Sequence, residues 1–437
     1  MMNKNIYLTL FLLILSLYLP DFAFAQSLAS LPDDPAVSKG VLPDGISYYL
    51  VTNKTRKAVA DLSLVWKTGV PALADSSVSG EPVCADTLQS IARKCLSGTD
   101  VFGKRTPESF LRSNGVKCGR NGYIEKRGNA VVFSFKDVSL SGGTAVMDSL
   151  LLLAFDMTRL CSDMLAERGH ENCGQAIVVS GDIAGIAVAD KMKMLSLFVP
   201  DADRAEYTDM YSWIPGDSTS FLAVKDTSAA VATLSAVYSL PRTPSEFMGT
   251  VLPVVSLRMG NELGLILQKR LYKDFFALGI PVAEIGYGYR GSSDWDGDEK
   301  FEVFVKTAPE SIEPAITAVT LALSKIASKG VSSTEYSAAR KMVGRKFVRD
   351  AGSALKGNDV FVNRCVSSYL YGSSLSSNAD KSGFFESSAL PDVEGSRFFN
   401  KFSSSLLNST GNLSLSYTAD TCIVDEAGIL MIPQALM

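Results

Sequence analysis

The stretch GEPVCADTLQSIARKCLSGTD, residues 80–100, decides how the rest of the chain is interpreted. Its apolar residues recur at intervals of three and four, which places them on one face of a helix. These residues are Cys84, Leu88, Ile91, Ala92, Cys95 and Leu96. Asp86 lies near the start of this run as a candidate N-cap, and Gly98 follows it as a stop signal. The pattern therefore predicts an amphipathic helix with one buried face.

The segments on either side give this helix a family resemblance. They are the hairpin Leu42-Pro43-Asp44-Gly45-Ile46, a strand ending at Gly69, the pair Gly98-Thr99, the triplet Asn121-Gly122-Tyr123 and the strand 178–182. Their order resembles the insulinase/pitrilysin-like metallopeptidases of the M16 family. The resemblance implies an α+β fold of two homologous domains. Each domain is expected to be a mostly antiparallel sheet with helices packed on one face.

The zinc motif of that family has no counterpart in this helix. When the sequences are aligned on Gly98-Thr99, Gln89 and Arg93 take the places of the two zinc-binding histidines. Ala92 takes the place of the glutamate that activates the metal-bound water. Glutamine is a poor zinc ligand, alanine cannot move a proton, and arginine is a permanent cation that repels the metal. We therefore expect the fold without a cofactor and without peptidase activity.

Other candidate metal ligands are isolated in the sequence. His170 is the single histidine, so no shift of register restores the motif. The family's third zinc ligand is a glutamate in a helical insert, which is reduced here to residues 161–174. Glu167 and Glu171 in that remnant are interpreted as solvated loop carboxylates. His170 and Cys173 have no convincing second pair. The seven cysteines include no Cys-x-x-Cys pair, and their odd number leaves at least one unpaired.

The first 25 residues predict a secretory signal. Lys4 precedes an apolar core at 6–19, and Ala23-Phe24-Ala25 forms a small-x-small cleavage site. A transmembrane anchor is the alternative, but the apolar run is short for that. We expect export, in a bacterium to the periplasm, with no membrane span after cleavage. The net charge of −4 provides no basic surface for nucleic acid.

An internal duplication divides the remaining chain. AVATLSAVY at 230–238 repeats AVADLSLVW at 58–66 with six of nine residues identical. KFEVFVKT at 300–307 takes the place of NAVVFSFK at 129–136, and LSLSYTAD at 413–420 that of AIVVSGDI at 176–183. The predicted boundaries are an N-terminal linker at 26–37, a first domain at 38–200, a linker at 201–219 and a second domain at 220–437.

The second domain also departs from the family's functional pattern. The family holds the substrate main chain with an arginine and a tyrosine seven residues apart. The nearest register places Tyr272 and Gly279 at these positions. Arg270 and Lys273 lie close enough in sequence to compensate, although surface helix cations usually only solvate. Ser332 with Glu335 predicts a helix-capping box.

Three kinds of function remain open. The first is a non-catalytic homologue that binds extended peptides or acts as partner of an intact M16 subunit, and it could dimerise. A peptide would add to an exposed edge strand by main-chain hydrogen bonds. The predicted strand consists of Arg120, Asn121, Gly122, Tyr123 and Ile124. The second is an enzyme, with an unrecognised metal site or active only in a heteromer. The third is a structural scaffold. The altered zinc motif favours the first.

Overall fold

The computed structural model describes residues 30–68, 85–119, 121–127, 130–166, 172–198, 216, 218–226, 229–291, 299–352, 357–387 and 392–419. These residues form two β-sheets with surrounding helices, so the predicted α+β fold class is confirmed. The predicted signal at 1–25 lies outside the described residues, as do Gly69, Cys84, Arg120, Glu167, His170, Glu171 and most of the linker at 201–219. The domain boundaries stay a prediction.

The first half of the chain builds a seven-stranded sheet. Its strands are β1 (Val37–Val41), β2 (Ser47–Thr52), β3 (Val59–Thr68), β4 (Lys117–Cys118), β5 (Ile124–Arg127), β6 (Ala130–Ser139) and β7 (Asn172–Gly181). Its helices are α1 (Ala85–Gly98), α2 (Pro107–Ser113), α3 (Ala145–Ala166) and α4 (Val188–Ser196). The strand order is β1-β2-β7-β3-β6, and β4 and β5 both pair with the outer side of β6. All pairs are antiparallel except β2 with β7.

The second half builds a five-stranded sheet. Its strands are β8 (Ser220–Lys225), β9 (Ala232–Leu240), β10 (Val282–Arg290), β11 (Glu299–Thr307) and β12 (Leu413–Ala419). Its helices are α5 (Leu252–Leu278), α6 (Ile312–Lys329), α7 (Ser333–Gly352), α8 (Asn358–Tyr371), α9 (Asn378–Ser387) and α10 (Asp392–Leu407). The strand order is β10-β11-β9-β12-β8, with β8 and β12 parallel.

The two sheets share one topology, as the duplication predicts. Strands β2, β7, β3, β6 and β5 correspond in order and direction to β8, β12, β9, β11 and β10. The repeated strings therefore lie on the equivalent strands β3 and β9. On the neighbouring strands β6 and β11, the residues that are equivalent in the structure differ by one position from those that the sequence strings align. Phe133 pairs with Leu64 and Val303 pairs with Ala236, whereas the strings align Phe133 with Phe304. Burial sets this register, since a shift of one residue moves a side chain to the other face.

Helices α1, α3 and α4 pack on one face of the first sheet. Helix α8 of the second half covers the opposite face of this sheet. Val362, Cys365 and Val366 of α8 share a core cluster with the sheet residues Tyr49, Val51, Val65, Ala130, Val132, Ala176 and Val178. The helices of the first half thus lie on one face, as predicted, and a helix of the second half closes the other.

Polar contacts fix α8 in this position. Arg364 forms an ion pair of 2.8 Å with Asp34, and both side chains are largely buried. Asn53 donates a hydrogen bond of 2.8 Å to Asn358 at the start of the helix. Near its end, Gly174 has a φ of 129°, which favours glycine, and a Cβ there would lie 2.7 Å from the Tyr369 hydroxyl.

Among the helices that the structure describes, none combines the length and the apolar composition needed to cross a bilayer.

Candidate functional site

Helix α1 is held beside the edge of the first sheet. It packs on α3 and lies next to β5. Its buried side chains are Leu88, Ile91, Ala92, Cys95 and Leu96, which confirms the apolar face predicted from the sequence. At its end, the hydroxyl of Thr99 donates a hydrogen bond to Asp156 of α3. This contact fixes the C-terminal end of α1 against α3.

The three positions of the zinc motif have different environments on α1. Gln89 is half-buried, Arg93 is exposed, and Ala92 is completely buried in the core. Ala92 presents only a methyl group, and an arginine side chain has donors but no acceptor. These residues do not fit a zinc ion and its activating base. Within the described part of the chain, no group of three or more His, Cys, Asp or Glu residues is arranged to hold a metal.

The predicted edge strand at Arg120–Ile124 is wrong in its bounds. The N–H of Gly122 donates a hydrogen bond of 3.2 Å to the carbonyl of Gly119, and Gly122 has a φ of 95°. This is a tight turn, because a hydrogen bond from the N–H of residue i+3 to the carbonyl of residue i closes a β-turn. Asn121, Gly122 and Tyr123 therefore belong to the connection between β4 and β5. The strand itself begins at Ile124 and ends at Arg127.

Among the described residues, nothing pairs with the outer main-chain edge of β5. Ser134 of β6 donates a hydrogen bond of 2.9 Å to the carbonyl of Tyr123. Because bonded and non-bonded pairs alternate in an antiparallel ladder, the N–H and C=O of Ile124 and Lys126 point away from β6. No hydrogen bond from the described residues reaches these groups. The side chain of Ile124 is buried and that of Lys126 is exposed.

The equivalent edge in the second half is closed by helix α5. The side chain of Gln268 donates a hydrogen bond of 2.5 Å to the carbonyl of Ile285 on β10. The N–H of the same residue donates one of 3.2 Å to the phenolic oxygen of Tyr272. Gly260, Gly264, Gln268 and Tyr272 follow one another at intervals of four residues on α5. The two glycines bring the helix into contact with the rings of Tyr289 and Tyr287. A spacing of four marks one helix face, but sequence reasoning did not identify this contact.

The two positions of the substrate-binding pair have structural roles here. Tyr272 caps the edge of β10, and Gly279 ends α5 with a φ of 67°. Arg270, one of the two cations close enough in sequence to compensate, is engaged elsewhere. It forms two hydrogen bonds of 2.9 Å with Glu335 and one of 3.3 Å with the carbonyl of Gly330. This guanidinium, together with hydrogen bonds from Ser332, lowers the pKa of Glu335 to about 2.

No protein-family model matches the sequence, and no curated protein matches it. Solved structures do match. The first half of the periplasmic protease PqqL from Escherichia coli superposes with a TM-score of 0.72 at 13% identity, covering 93% of this chain and 98% of that one. A peptidase M16 inactive domain from Pseudomonas fluorescens superposes with a TM-score of 0.58 at 13% identity, covering 89% of this chain and 99% of that one. The chain has the M16 peptidase fold.

The M16 fold of this chain corresponds to part of a larger protein in one of these cases. Complete PqqL superposes with a TM-score of 0.71 at 12% identity, and the match covers 93% of this chain but 51% of PqqL. The superpositions establish the fold, but at identities of 12–13% they do not establish the chemistry, which has to be argued from the residues.

Proposed function

We propose that this chain is an exported, non-catalytic M16 homologue that binds extended polypeptide along strand β5. The observation that supports it is the combination of an open edge at Ile124 and Lys126 with a neighbouring helix that lacks catalytic groups. An extended peptide can add to such an edge through its main chain alone. Specificity would then come from side chains on either face of the added strand.

The absence of catalysis is argued from the chemistry of the side chains on α1. Hydrolysis of a peptide in this fold requires two neutral nitrogen ligands and a carboxylate near the scissile bond. Gln89 and Arg93 offer no such ligands, and the buried methyl group of Ala92 cannot take a proton. The export part of the proposal is supported by the signal pattern at residues 1–25 and by the periplasmic protease PqqL among the structural matches.

A partner role is the second candidate. The match covers 93% of this chain and 51% of PqqL, a protein in which this fold is one part of a longer chain. In that case the partner would be an intact His-x-x-Glu-His peptidase, with this chain contributing a peptide-binding surface to a heteromer. Co-purification of such a subunit, with peptidase activity appearing only in the mixture, would favour this candidate over independent peptide binding.

The peptide-binding proposal is tested by removing one outward N–H from β5. Lys126→Pro deletes the donor that faces the open edge, while the ladder to β6 keeps its bonds. Lys126→Ala is the matched control, because it removes the charge and keeps the N–H. Binding of a fluorescent unstructured peptide pool should weaken about tenfold in the proline variant, equivalent to about 1.4 kcal/mol, and change little in the alanine variant.

Two results would contradict the proposal. One is equal affinity of the wild-type protein and Lys126→Pro, with the fold of both confirmed by circular dichroism. The other is cleavage of the peptide pool by the purified chain supplied with zinc, which would show that the chain is an enzyme. A wild-type protein with no measurable peptide binding would favour the scaffold.

A further inference from the structure

Two buried cysteines meet where helix α1 packs on helix α3. Cys95 of α1 is 1% exposed and Cys161 of α3 is 0% exposed. The sulfur of Cys95 lies 3.3 Å from the sulfur of Met164, which is one helical turn from Cys161 on α3. Cys95 therefore faces the side of α3 that carries Cys161. The packing of the two helices thus brings the two cysteine side chains together.

The surroundings of this pair favour neutral sulfur. Both cysteines belong to the core cluster that the first sheet forms with α1 and α3. Burial and the neighbouring thiol raise the pKa of Cys161 well above its usual value. A metal ion held by two cysteines requires both as thiolates, which this apolar environment disfavours. A disulfide is uncharged and apolar, so it suits the same environment without a cost for burying charge.

We propose that Cys95 and Cys161 form a disulfide bond that joins α1 to α3 in the exported protein. The physiological occurrence of this bond rests on the export part of the proposed function, because disulfides persist in oxidising compartments. Each thiol loses a proton, and together they lose two electrons as the S–S bond forms. The electrons pass to the disulfide of a thiol–disulfide oxidoreductase in that compartment, which is reduced to its dithiol. Because both thiols are buried in the fold, the exchange takes place before α1 packs on α3.

The other described cysteines have different environments. Cys118 is exposed on β4, Cys173 is partly buried on β7, and Cys365 of α8 is buried in a separate core cluster. The proposed bond closes a loop of roughly 65 residues and so restricts the unfolded chain. It also holds α1 beside β5, the strand proposed to bind peptide. The disulfide would therefore keep α1 in place next to the open edge of β5 in an oxidising compartment.

The test begins with the wild-type chain prepared in two ways. One preparation is exported by a bacterial host and the other is made in the cytosol and oxidised with glutathione disulfide. Free thiols are alkylated in denaturant without reductant, and the peptides are mapped by mass spectrometry. The peptides carrying Cys95 and Cys161 should appear as one linked species that reductant separates. The cytosolic preparation tests the pairing without depending on natural export, so failure of the export proposal remains distinguishable.

Variants supply the second measurement. Reductant should lower the thermal midpoint of the wild-type protein by several degrees and leave that of Cys95→Ala/Cys161→Ala unchanged. The control Cys118→Ala should keep both the linked peptide and the response to reductant. The proposal is overturned if both thiols are alkylated in both preparations. It is also overturned if Cys95 is linked to another cysteine, such as Cys84, or if the pair holds a copper(I) ion with no S–S bond.

Discussion

The phenolic oxygen of Tyr272 accepts a hydrogen bond of 3.2 Å from the main-chain N–H of Ile285. Gln268 donates a hydrogen bond to the carbonyl of Ile285. Helix α5 thus provides partners for both main-chain groups of Ile285 at the outer edge of β10. The equivalent strand of the first half, β5, has no such hydrogen bonds from the described residues. Among the described residues, the duplicated sheets therefore differ at this edge, where an added strand could bind beside β5.

Tyr272→Phe should uncover the edge of β10. The substitution keeps the ring and removes the acceptor for the N–H of Ile285, so we expect a loss of about 1 kcal/mol in the free energy of unfolding. Hydrogen exchange at the amide of Ile285 should accelerate. Phe276→Ala, at an exposed position one turn along the same helix, is the control and should change neither quantity. Unchanged exchange at Ile285 in Tyr272→Phe would show that the hydrogen bond contributes nothing to closing the edge.

Gly264→Ala should disrupt the contact between α5 and β10. The new Cβ would lie 2.2 Å from Cδ2 of Tyr287 and 2.8 Å from its Cβ, so rotation of the ring cannot relieve the clash. We expect a loss of about 1–3 kcal/mol, measured by urea unfolding. Gly288→Ala, on β10 itself, meets no atom within 4 Å and should be tolerated. Equal stability of the two variants would contradict the packing described here.

The ion pair of Arg270 with Glu335 should make stability depend on acid pH. The pKa of Glu335 is lowered from 4.5 to about 2 in the folded protein, first by the hydrogen bond from Arg270. Its contribution is therefore fully present above about pH 4.5 and is lost as the pH falls towards 2. The difference in urea midpoint between the wild-type protein and Glu335→Gln should shrink over this range. Arg270→Gln should show the same convergence, and a difference that stays constant with pH would refute the assignment.

Zinc should not bind α1 in stoichiometric amounts. The side chains of Gln89, Ala92 and Arg93 provide neither the ligands nor the base of the family motif. Elemental analysis after incubation with one equivalent of zinc and gel filtration should find well under one ion per chain. Gln89→Ala should give the same value. Tightly held zinc that disappears in Gln89→Ala would show that the helix retains a metal site.

Helix α8 should contribute directly to the stability of the first half. Val366 is completely buried between α8 and the first sheet, so Val366→Ala should lower the free energy of unfolding by about 2 kcal/mol. Val360→Ala makes the same chemical change at a half-buried position of the helix and should cost less. Hydrogen exchange in β7 should accelerate in Val366→Ala alone. Equal effects of the two substitutions would contradict the contact.

Local sequence signals predicted several parts of the fold correctly. The capping box is present, since Ser332 and Glu335 exchange hydrogen bonds of 3.1–3.2 Å. The repeated strings lie on equivalent strands because their apolar residues alternate and face the same core. Helix α1 was predicted because its apolar residues follow the helical period. In each case the structure is determined by a hydrogen bond within the segment or by the spacing of the segment's apolar residues.

The errors concern features that depend on a turn or on distant contacts. Asn121-Gly122-Tyr123 resembles a family strand, which puts the predicted edge strand too early, whereas the hydrogen bond from Gly122 to Gly119 makes this segment a turn. Strand β1, VSKGV, was missed because it is short and carries few apolar residues. The spacing of Gly260, Gly264, Gln268 and Tyr272 on one helix face does not reveal which strand they contact. The position of α8 depends on residues hundreds of positions away, such as Asn53, which donates a hydrogen bond to Asn358 of this helix.

The docking of α8 on the first sheet has a consequence for biosynthesis. The ribosome completes the last strand of this sheet, β7, at Gly181, but residues 358–371 are made much later. Until then the apolar side chains of Val51, Val65 and Val178 lack the helix that packs on them. The nascent first half thus exposes an apolar surface while almost two hundred further residues are translated, which takes about 10–40 s at bacterial or eukaryotic rates. A gene truncated after β7 would leave this apolar face exposed and should favour aggregation.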